Sequence, residues 1–257
     1  MGVTLQLENG VARVTISRPE VMNALDANAQ QEMENIWQRL ECNPDVRVVV
    51  VTGDGDRAFC AGADIKGGRS RGLDYWAHPL PKGFGGLPLR DALNVPVIAR
   101  VNGFALGGGL ELMLGCDIAI ACDDASFGLP EPRVGRMPLD GGMSLLHRQV
   151  SYRQAMGLLL TGRHIGANEA LQMGLINEVV PRQGLDGAIA RWVDDVLACA
   201  PLSLRAIKAF VRSTHGLSPA ASQAMRLPEL VDALESEDAM EGVLAFKERR
   251  KPVWKGR

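Results

Sequence analysis

A run of valines, VRVVVVTG at residues 46–53, limits the possible folds of this chain more than any other segment. Continuous β-branched residues of this kind are typical of a strand that is buried on both faces, as in a parallel sheet. Strand and helix patterns alternate further along the chain. A strand pattern at 95–103 is followed by a helix opened by glycines from 107 and by another strand pattern at 116–122. Strands that alternate with helices predict an α/β fold with crossover connections.

Two local patterns lie before the valine run. Apolar and polar residues alternate on both sides of Asn9-Gly10, which predicts a β-hairpin with a tight turn. Asp26 then stands where a helix cap belongs. The helix predicted after it carries its apolar residues on one face, and these are Met33, Ile36, Trp37 and Leu40.

The second half of the chain has a different character. From Gly141 onward helical patterns dominate, interrupted by a short strand pattern at 177–180, and from Pro201 the chain reads as almost wholly helical. The least regular segment, residues 67–94, is rich in glycine and proline and carries three aromatic residues. Long loops in compact domains are usually functional or disordered, so this segment is a candidate for shaping a pocket.

Composition excludes several classes of function. A net charge of −2 over 257 residues gives no reason to expect a nucleic acid or an anionic membrane as partner. Five scattered cysteines without a CxxC pair favour reduced thiols in a cytoplasmic protein over disulfides or a zinc site. The four histidines share no metal-ligand spacing, so we expect no metal. Neither a signal peptide nor a membrane span is expected from the apolar runs.

The dinucleotide-like motif GDGDRA at 53–58 does not support cofactor binding. Such a motif needs a helix directly after it, with the helix N-terminus facing a pyrophosphate. Here FCAGAD follows, which has no helical pattern, and Asp54-Gly55 is better read as a turn.

Three consecutive glycines, Gly107 to Gly109, open the helix that carries Glu111. Each glycine inside a helix costs roughly 0.5–1 kcal/mol relative to alanine, so the run needs a reason. A helix N-terminus offers unpaired N–H groups, which would stabilise a developing oxyanion if a substrate came close to the backbone. Close packing of the helix on a strand explains the glycines equally well, and the sequence leaves both interpretations open.

A second segment, FCAGADIK at 59–66, resembles the first in its small residues. Asp64 is a candidate helix cap, and the N–H of Ala63 is a candidate second donor to the same oxygen. A second carboxylate, Glu131, lies between two prolines that restrict the local backbone. It is either half of an acid/base pair with Glu111 or a solvated loop charge.

Four longer stretches together resemble the crotonase family, the enoyl-CoA hydratase/isomerase superfamily. They are AFCAGADIK, NGFALGGGLELMLGCDIAIA, ASFGLPEPRVG and LTGRHIGANEALQMGLINEVV, in the family's order and spacing. The resemblance covers nearly the whole chain. The ending SEDAMEGVLAFKERRKPVWKGR is most similar to members of the carnitinyl-CoA dehydratase type.

The resemblance implies a fold and an assembly. The family fold is an α/β, ClpP-like spiral of ββα units with a helical C-terminal region used in trimerisation. Residues 1–200 would form the spiral core and residues 201–257 the oligomerisation region. The assembly would be a homotrimer or a hexamer made of two trimers.

The resemblance also assigns the site. The oxyanion hole falls on the N–H groups of Ala63 and Gly108, and the two hydratase acids fall on Glu111 and Glu131. The segment from Ala61 to Lys66 would bind coenzyme A. The residues expected to contact the substrate are therefore Ala61, Asp64, Ile65, Lys66 and Leu139.

Leu139 departs from the family pattern, in which typical hydratases have a glycine at this position. Carnitinyl-CoA dehydratase-like chains have an aspartate where Leu139 stands, and here the aspartate is one place later, at Asp140. Asp140 is expected to cap the helix that begins at Gly141, with a polar contact to the acyl group as the alternative. Leu139 suggests an apolar wall near the reacting carbons.

The implied activity is that of an enoyl-CoA hydratase or 3-hydroxyacyl-CoA dehydratase, which is a carbon–oxygen lyase. It would use no cofactor, since coenzyme A is part of the substrate. An enoyl-CoA isomerase that moves a double bond with one glutamate is the alternative within the superfamily, and a non-catalytic scaffold is the alternative outside it. The acyl group, the physiological direction and the choice between trimer and hexamer are left open.

Overall fold

Two β-sheets form the centre of the computed structural model, which describes residues 2–64 and 72–257. The larger sheet has six strands in the order β1-β2-β3-β5-β7-β10, and the smaller has four in the order β4-β6-β8-β9. The strands are β1 (Val3–Glu8), β2 (Val11–Ile16), β3 (Val48–Gly53), β4 (Ala58–Cys60), β5 (Val97–Val101), β6 (Phe104–Leu106), β7 (Ile118–Cys122), β8 (Ser126–Gly128), β9 (His164–Gly166) and β10 (Glu178–Val180).

Helices follow the strands and fill the C-terminal third. The helices in the described part of the chain are α1 (Ala27–Glu41), α2 (Gly72–Ala77), α3 (Gly108–Leu114), α4 (Gly142–Gln149), α5 (Tyr152–Thr161), α6 (Ala167–Gln172), α7 (Leu185–Leu197), α8 (Pro201–Thr214), α9 (Pro219–Ala224), α10 (Pro228–Glu235) and α11 (Glu237–Glu248). Among these, none is long and apolar enough to cross a membrane.

The spiral of ββα units predicted from the resemblance is confirmed. Strands β3, β5 and β7 lie side by side and parallel in the larger sheet, and β4, β6 and β8 lie parallel in the smaller one. Each unit therefore gives one strand to each sheet before the chain turns into a helical segment. All six residues of β3 are buried, which explains the uninterrupted valine run.

The hairpin and the first helix also agree with the sequence prediction. Strands β1 and β2 pair antiparallel around Asn9 and Gly10, whose φ angles of 50° and 79° suit the twist of a two-residue turn. Asp26 caps α1 because its carboxylate accepts a hydrogen bond of 2.8 Å from the N–H of Ala29. The four apolar residues predicted for the inner face of this helix are all buried.

Local sequence patterns did not indicate the smaller sheet, which only the ββα units of the family resemblance imply. Each of its strands has three residues, too few for an alternating pattern to stand out. The irregular segment at 67–94 contains α2 and a short 3₁₀ turn at Phe84–Gly86 in its described part. The region from 201 is helical as predicted, and its division from a core of 1–200 stays a prediction.

Candidate active site

Close packing explains two of the three glycines before Glu111. A Cβ atom on Gly108 would lie 2.4 Å from Cδ2 of the Phe84 ring, and one on Gly109 would lie 1.8 Å from the carbonyl oxygen of Cys60. Real Cβ atoms do not come so near to other atoms, so neither position has room for a side chain. Gly107 has a φ angle of 55°, a left-handed conformation that glycine adopts without strain.

The backbone N–H of Gly108 lies beside the second candidate donor. Gly108 is the first residue of α3, so its N–H has no intrahelical partner. No hydrogen bond from it is found within the described residues. A Cβ on Gly62 would lie 3.1 Å from the Gly108 nitrogen, which places the segment before Ala63 directly against the start of α3.

The N–H of Ala63 points away from the segment that pairs with it, which contains Leu25. Leu25 donates to the carbonyl of Gly62 at 2.9 Å and accepts from the N–H of Asp64 at 3.0 Å. Alternate residues of an extended segment point their polar groups in opposite directions, so the N–H of Ala63 faces away from Leu25. The fold thus brings the two sequence-predicted donors close together, one in the segment after β4 and the other at the start of α3.

Glu111 lies in the first turn of α3 and is 3% exposed. Its Oε1 atom accepts hydrogen bonds of 2.9 Å from the backbone N–H groups of Asp140 and Gly142. The pKa of Glu111 is raised to about 8, mainly by burial and in part by the nearby acids Asp140 and Glu131, against the lowering effect of the two N–H donors. A carboxyl group with such a pKa exchanges protons near neutral pH.

Glu131 begins a 3₁₀ turn after β8, with Pro130 and Pro132 on either side. Its Oε1 atom lies 2.9 Å from where a Cβ on Gly107 would be, so the glycine makes room for the carboxylate. Its Oε2 atom is buried and has no hydrogen-bond partner in the described part of the protein. Burial raises the pKa of Glu131, and Asp140 contributes in the same direction. The side chain is therefore not a solvated loop charge.

The prediction that Asp140 caps the next helix is wrong. Gly141 is the N-cap of α4, and the helix start has no hydrogen bond from a capping side chain because glycine has none. The N–H of Gly142 is instead bound by Glu111. The carboxylate of Asp140 turns towards α2 and accepts a hydrogen bond from the hydroxyl of Tyr75.

The structure describes three of the five residues predicted to contact the substrate. Ala61 and Asp64 follow β4, and Leu139 is half-buried next to Asp140. Asp64 accepts a hydrogen bond of 3.2 Å from the guanidinium of Arg18. Ile65 and Lys66 lie outside the described residues, as does any helix that Asp64 would cap.

A cleft of about 740 Å³ opens between α1 and the segment around α2. Asp64 and Tyr75 are among its lining residues, so it adjoins the segment expected to bind substrate. Sequence reasoning did not find the contacts of Tyr75 and Phe84 with the site. Their aromatic character within the irregular segment was the only available signal.

Comparisons with known proteins give the family. The model of the family described as enoyl-CoA hydratase/isomerase matches residues 6–257. The chain belongs to the enoyl-CoA hydratase/isomerase family. It is 40% identical to carnitinyl-CoA dehydratase of Proteus mirabilis over 98% of both chains. It is 38% identical to (E)-benzylidenesuccinyl-CoA hydratase of Thauera aromatica over the full length of both.

Solved structures of this family agree with the fold. The crystal structure of enoyl-CoA hydratase from Bacillus anthracis superposes with a TM-score of 0.93 at 31% identity, covering all of both chains. A crystal structure described as a short chain enoyl-CoA hydratase from Novosphingobium aromaticivorans superposes with a TM-score of 0.87 at 36% identity, covering all of this chain and 98% of that one. The crotonase resemblance, the fold and the enzyme class of hydratase or dehydratase acting on a coenzyme A thioester are thereby confirmed.

Proposed function

We propose that Glu111 and Glu131 carry out the addition of water across the C2–C3 bond of a 2-enoyl-CoA thioester, or its removal from a 3-hydroxyacyl-CoA. The observation that carries this assignment is a pair of carboxyl groups, Glu111 buried and Glu131 half-buried, whose pKa values are both raised beside two backbone donors. Hydration needs one group that takes a proton from water and one that gives a proton to carbon, and these two acids meet that need.

The N–H groups of Ala63 and Gly108 would bind the thioester carbonyl oxygen. Negative charge develops on this oxygen as water attacks C3, and donors fixed in advance stabilise it. One such donor contributes about 3 kcal/mol in other oxyanion holes. Gly108 adds the partial positive charge at the start of α3, and packing against Phe84 fixes its position.

The two glutamates would hold one water molecule between them. Glu111 takes a proton from the water as its oxygen bonds to C3, and Glu131 delivers a proton to C2. Dehydration reverses both transfers. Each hydration leaves the water proton on Glu111 and leaves Glu131 ionised, so a proton passes from Glu111 to Glu131, through water, before the next turnover. No oxidant or reductant is needed, and the proposal includes no metal or redox cofactor.

The substrate class follows from the shared chemistry of the two curated relatives. Both relatives are named for the gain or loss of water on a coenzyme A thioester, although their acyl groups differ. We assign Ala61, Asp64, Ile65 and Lys66 to coenzyme A binding, as in the sequence analysis. Leu139, half-buried beside Asp140, would form an apolar wall near the reacting carbons.

The chain is proposed to work as a homotrimer or hexamer in the cytoplasm. The C-terminal helices support an assembly because they leave large apolar side chains exposed, which monomeric proteins rarely do over a wide area. These side chains include Ile207, Val231, Leu234, Met240 and Phe246. No nucleic acid or membrane partner is part of the proposal.

A substrate panel tests the assignment. Purified protein is incubated with straight, branched and polar 2-enoyl-CoA thioesters, and loss of the conjugated absorbance is followed beside mass spectrometry for the gain of one water. We expect hydration of at least one thioester, and its loss in Glu131→Gln and in Glu111→Gln. A shifted double bond without added water, surviving one of these substitutions, would favour the isomerase alternative and contradict the proposal.

A further inference from the structure

Asp140 is a third acid within the site, and it is 5% exposed. Its backbone N–H donates to Oε1 of Glu111 at 2.9 Å, and its side-chain Oδ2 accepts from the hydroxyl of Tyr75. Its carbonyl oxygen accepts from the N–H of Phe84 at 3.2 Å. One residue therefore contacts the candidate catalytic acid, the segment around α2 and the 3₁₀ turn at once.

The hydrogen bond between Phe84 and Asp140 connects Asp140 to the proposed oxyanion hole. The ring of Phe84 packs so closely on Gly108 that no Cβ fits between them. A displacement of Asp140 would consequently move the carboxylate of Glu111 on one side and the support of the Gly108 N–H on the other. The hydrogen bond from Tyr75 joins this turn to α2, an element that is far away in sequence.

We propose that Asp140, anchored by the hydroxyl of Tyr75, is a positioning residue that holds Glu111 in place and carries a negative charge beside both glutamates. The inference rests on the proposed function, in which Glu111 and Glu131 act on water. It gives Tyr75 and Asp140 a role in positioning and in charge, whereas the proton transfers themselves belong to the two glutamates.

The charge of Asp140 affects both glutamates. Among the described residues, the titratable groups that face Glu111 are Asp140 and Glu131, and the acid that faces Glu131 is Asp140. A like charge disfavours ionisation, so Asp140 raises the pKa of each. Without this charge, both glutamates should lose their protons at lower pH.

Two substitutions separate charge from anchoring. Asp140→Asn keeps an oxygen that accepts from Tyr75 but removes the charge, whereas Tyr75→Phe keeps the charge and removes the anchor. Asp123→Asn is the matched control, because this aspartate is exposed and lies outside the site.

The pH dependence of kcat/KM tests the charge. For Asp140→Asn we expect the profile to move to lower pH by about one pH unit, while the profile of Asp123→Asn coincides with that of the wild type. A profile of Asp140→Asn that superimposes on the wild type would overturn the charge role.

Separate measurement of kcat and KM tests the anchoring. For Tyr75→Phe we expect kcat to fall about tenfold, the scale of one lost hydrogen bond to a charged group, while KM stays unchanged. A raised KM with full kcat would mean that Tyr75 contacts the substrate instead, and would overturn the positioning role.

Carbon-13 NMR of labelled glutamate carboxyl groups distinguishes failure of this inference from failure of the proposed function. The Glu111 carboxyl should titrate near its raised pKa of about 8 in the wild type and at lower pH in Asp140→Asn, whether or not any substrate is turned over. An inactive wild type with this shift would overturn the function and keep the electrostatic role of Asp140. Unshifted titration in an active enzyme would overturn the inference alone.

Discussion

The Oε1 atom of Glu111 lies 2.9 Å from the backbone nitrogen of Gly142, the first residue of α4. The carboxyl group of one helix thus satisfies a free N–H at the start of another, where the helix dipole favours negative charge. Burial outweighs this help, because the pKa of Glu111 is still raised to about 8. The site therefore fixes this carboxyl firmly while keeping it ready to hold a proton at neutral pH.

Glu111→Gln should make protein stability less dependent on pH. An unfolded glutamate loses its proton near pH 4.5 and the folded one near pH 8, so the folded state holds the extra proton between these values. Stability from this group is present below about pH 4.5 and lost as the pH rises to about 8. We expect the stability of the variant relative to the wild type to rise by about 4 kcal/mol between pH 4.5 and pH 8.

Urea unfolding of both proteins at several pH values between about 4.5 and 8 measures this difference. Glutamine keeps the oxygen that accepts from Asp140 and Gly142, so packing is matched. The expectation is contradicted if the stability difference between variant and wild type is the same at both ends of the range.

Gly109→Ala should be strongly destabilising. Its Cβ would meet the backbone carbonyl of Cys60 at 1.8 Å, and backbone cannot rotate away as a side chain can. We expect a loss of at least about 3 kcal/mol, the upper end for overpacked cores. Gly157→Ala is the matched control, because it lies inside α5 with no atom within 4 Å of the added Cβ. The free energy of unfolding of this control should rise by about 0.5–1 kcal/mol. Equal urea midpoints for the two variants would disprove the packing argument.

Arg90→Met should destabilise the turn that supports the site. The Arg90 side chain is 2% exposed and forms ion pairs with Glu34 and Glu41, while its Nε donates to the carbonyl of Gly86 at 2.6 Å. Removing it deprives the half-buried carboxylates of Glu34 and Glu41 and the carbonyl of Gly86 of this donor, at a cost of about 2–3 kcal/mol for lost hydrogen bonds to charged groups. We expect a correspondingly lower urea midpoint.

The comparison for this variant is Arg250→Met. Arg250 also pairs with two glutamates, but its side chain is 37% exposed and lies on the surface near the C-terminus. Exposed ion pairs contribute little to stability because water screens them, so we expect a much smaller loss for Arg250→Met. Similar losses in both variants would mean that burial does not set the strength of the Arg90 cluster.

Sequence patterns were informative where a run was long enough to repeat. The valines of β3, the apolar face of α1 and the Asn9-Gly10 turn each predicted their element directly. Strands of three residues carry no period, so the smaller sheet followed only from the family resemblance.

Some features of the site could also be predicted from the sequence, and others only the structure shows. Sequence patterns suggested that Glu111 and Glu131 could act together, and their assignment as the two hydratase acids came from the family motifs. The hydrogen bond between Tyr75 and Asp140 joins residues 65 positions apart, and nothing local in the chain indicates it. Asp140 was misjudged as a cap because residue type favours capping, whereas the φ angle of 139° at Gly141 places the cap one residue later.

The most direct test of the catalytic pair is the rate of hydration of crotonyl-CoA by the wild type, Glu131→Gln and Glu111→Gln, followed by loss of the conjugated thioester absorbance. The account predicts rapid loss with the wild type and a fall of about 10²–10⁴ in kcat for each variant. Wild-type rates in either variant would contradict the assignment of these two glutamates as the acid and base.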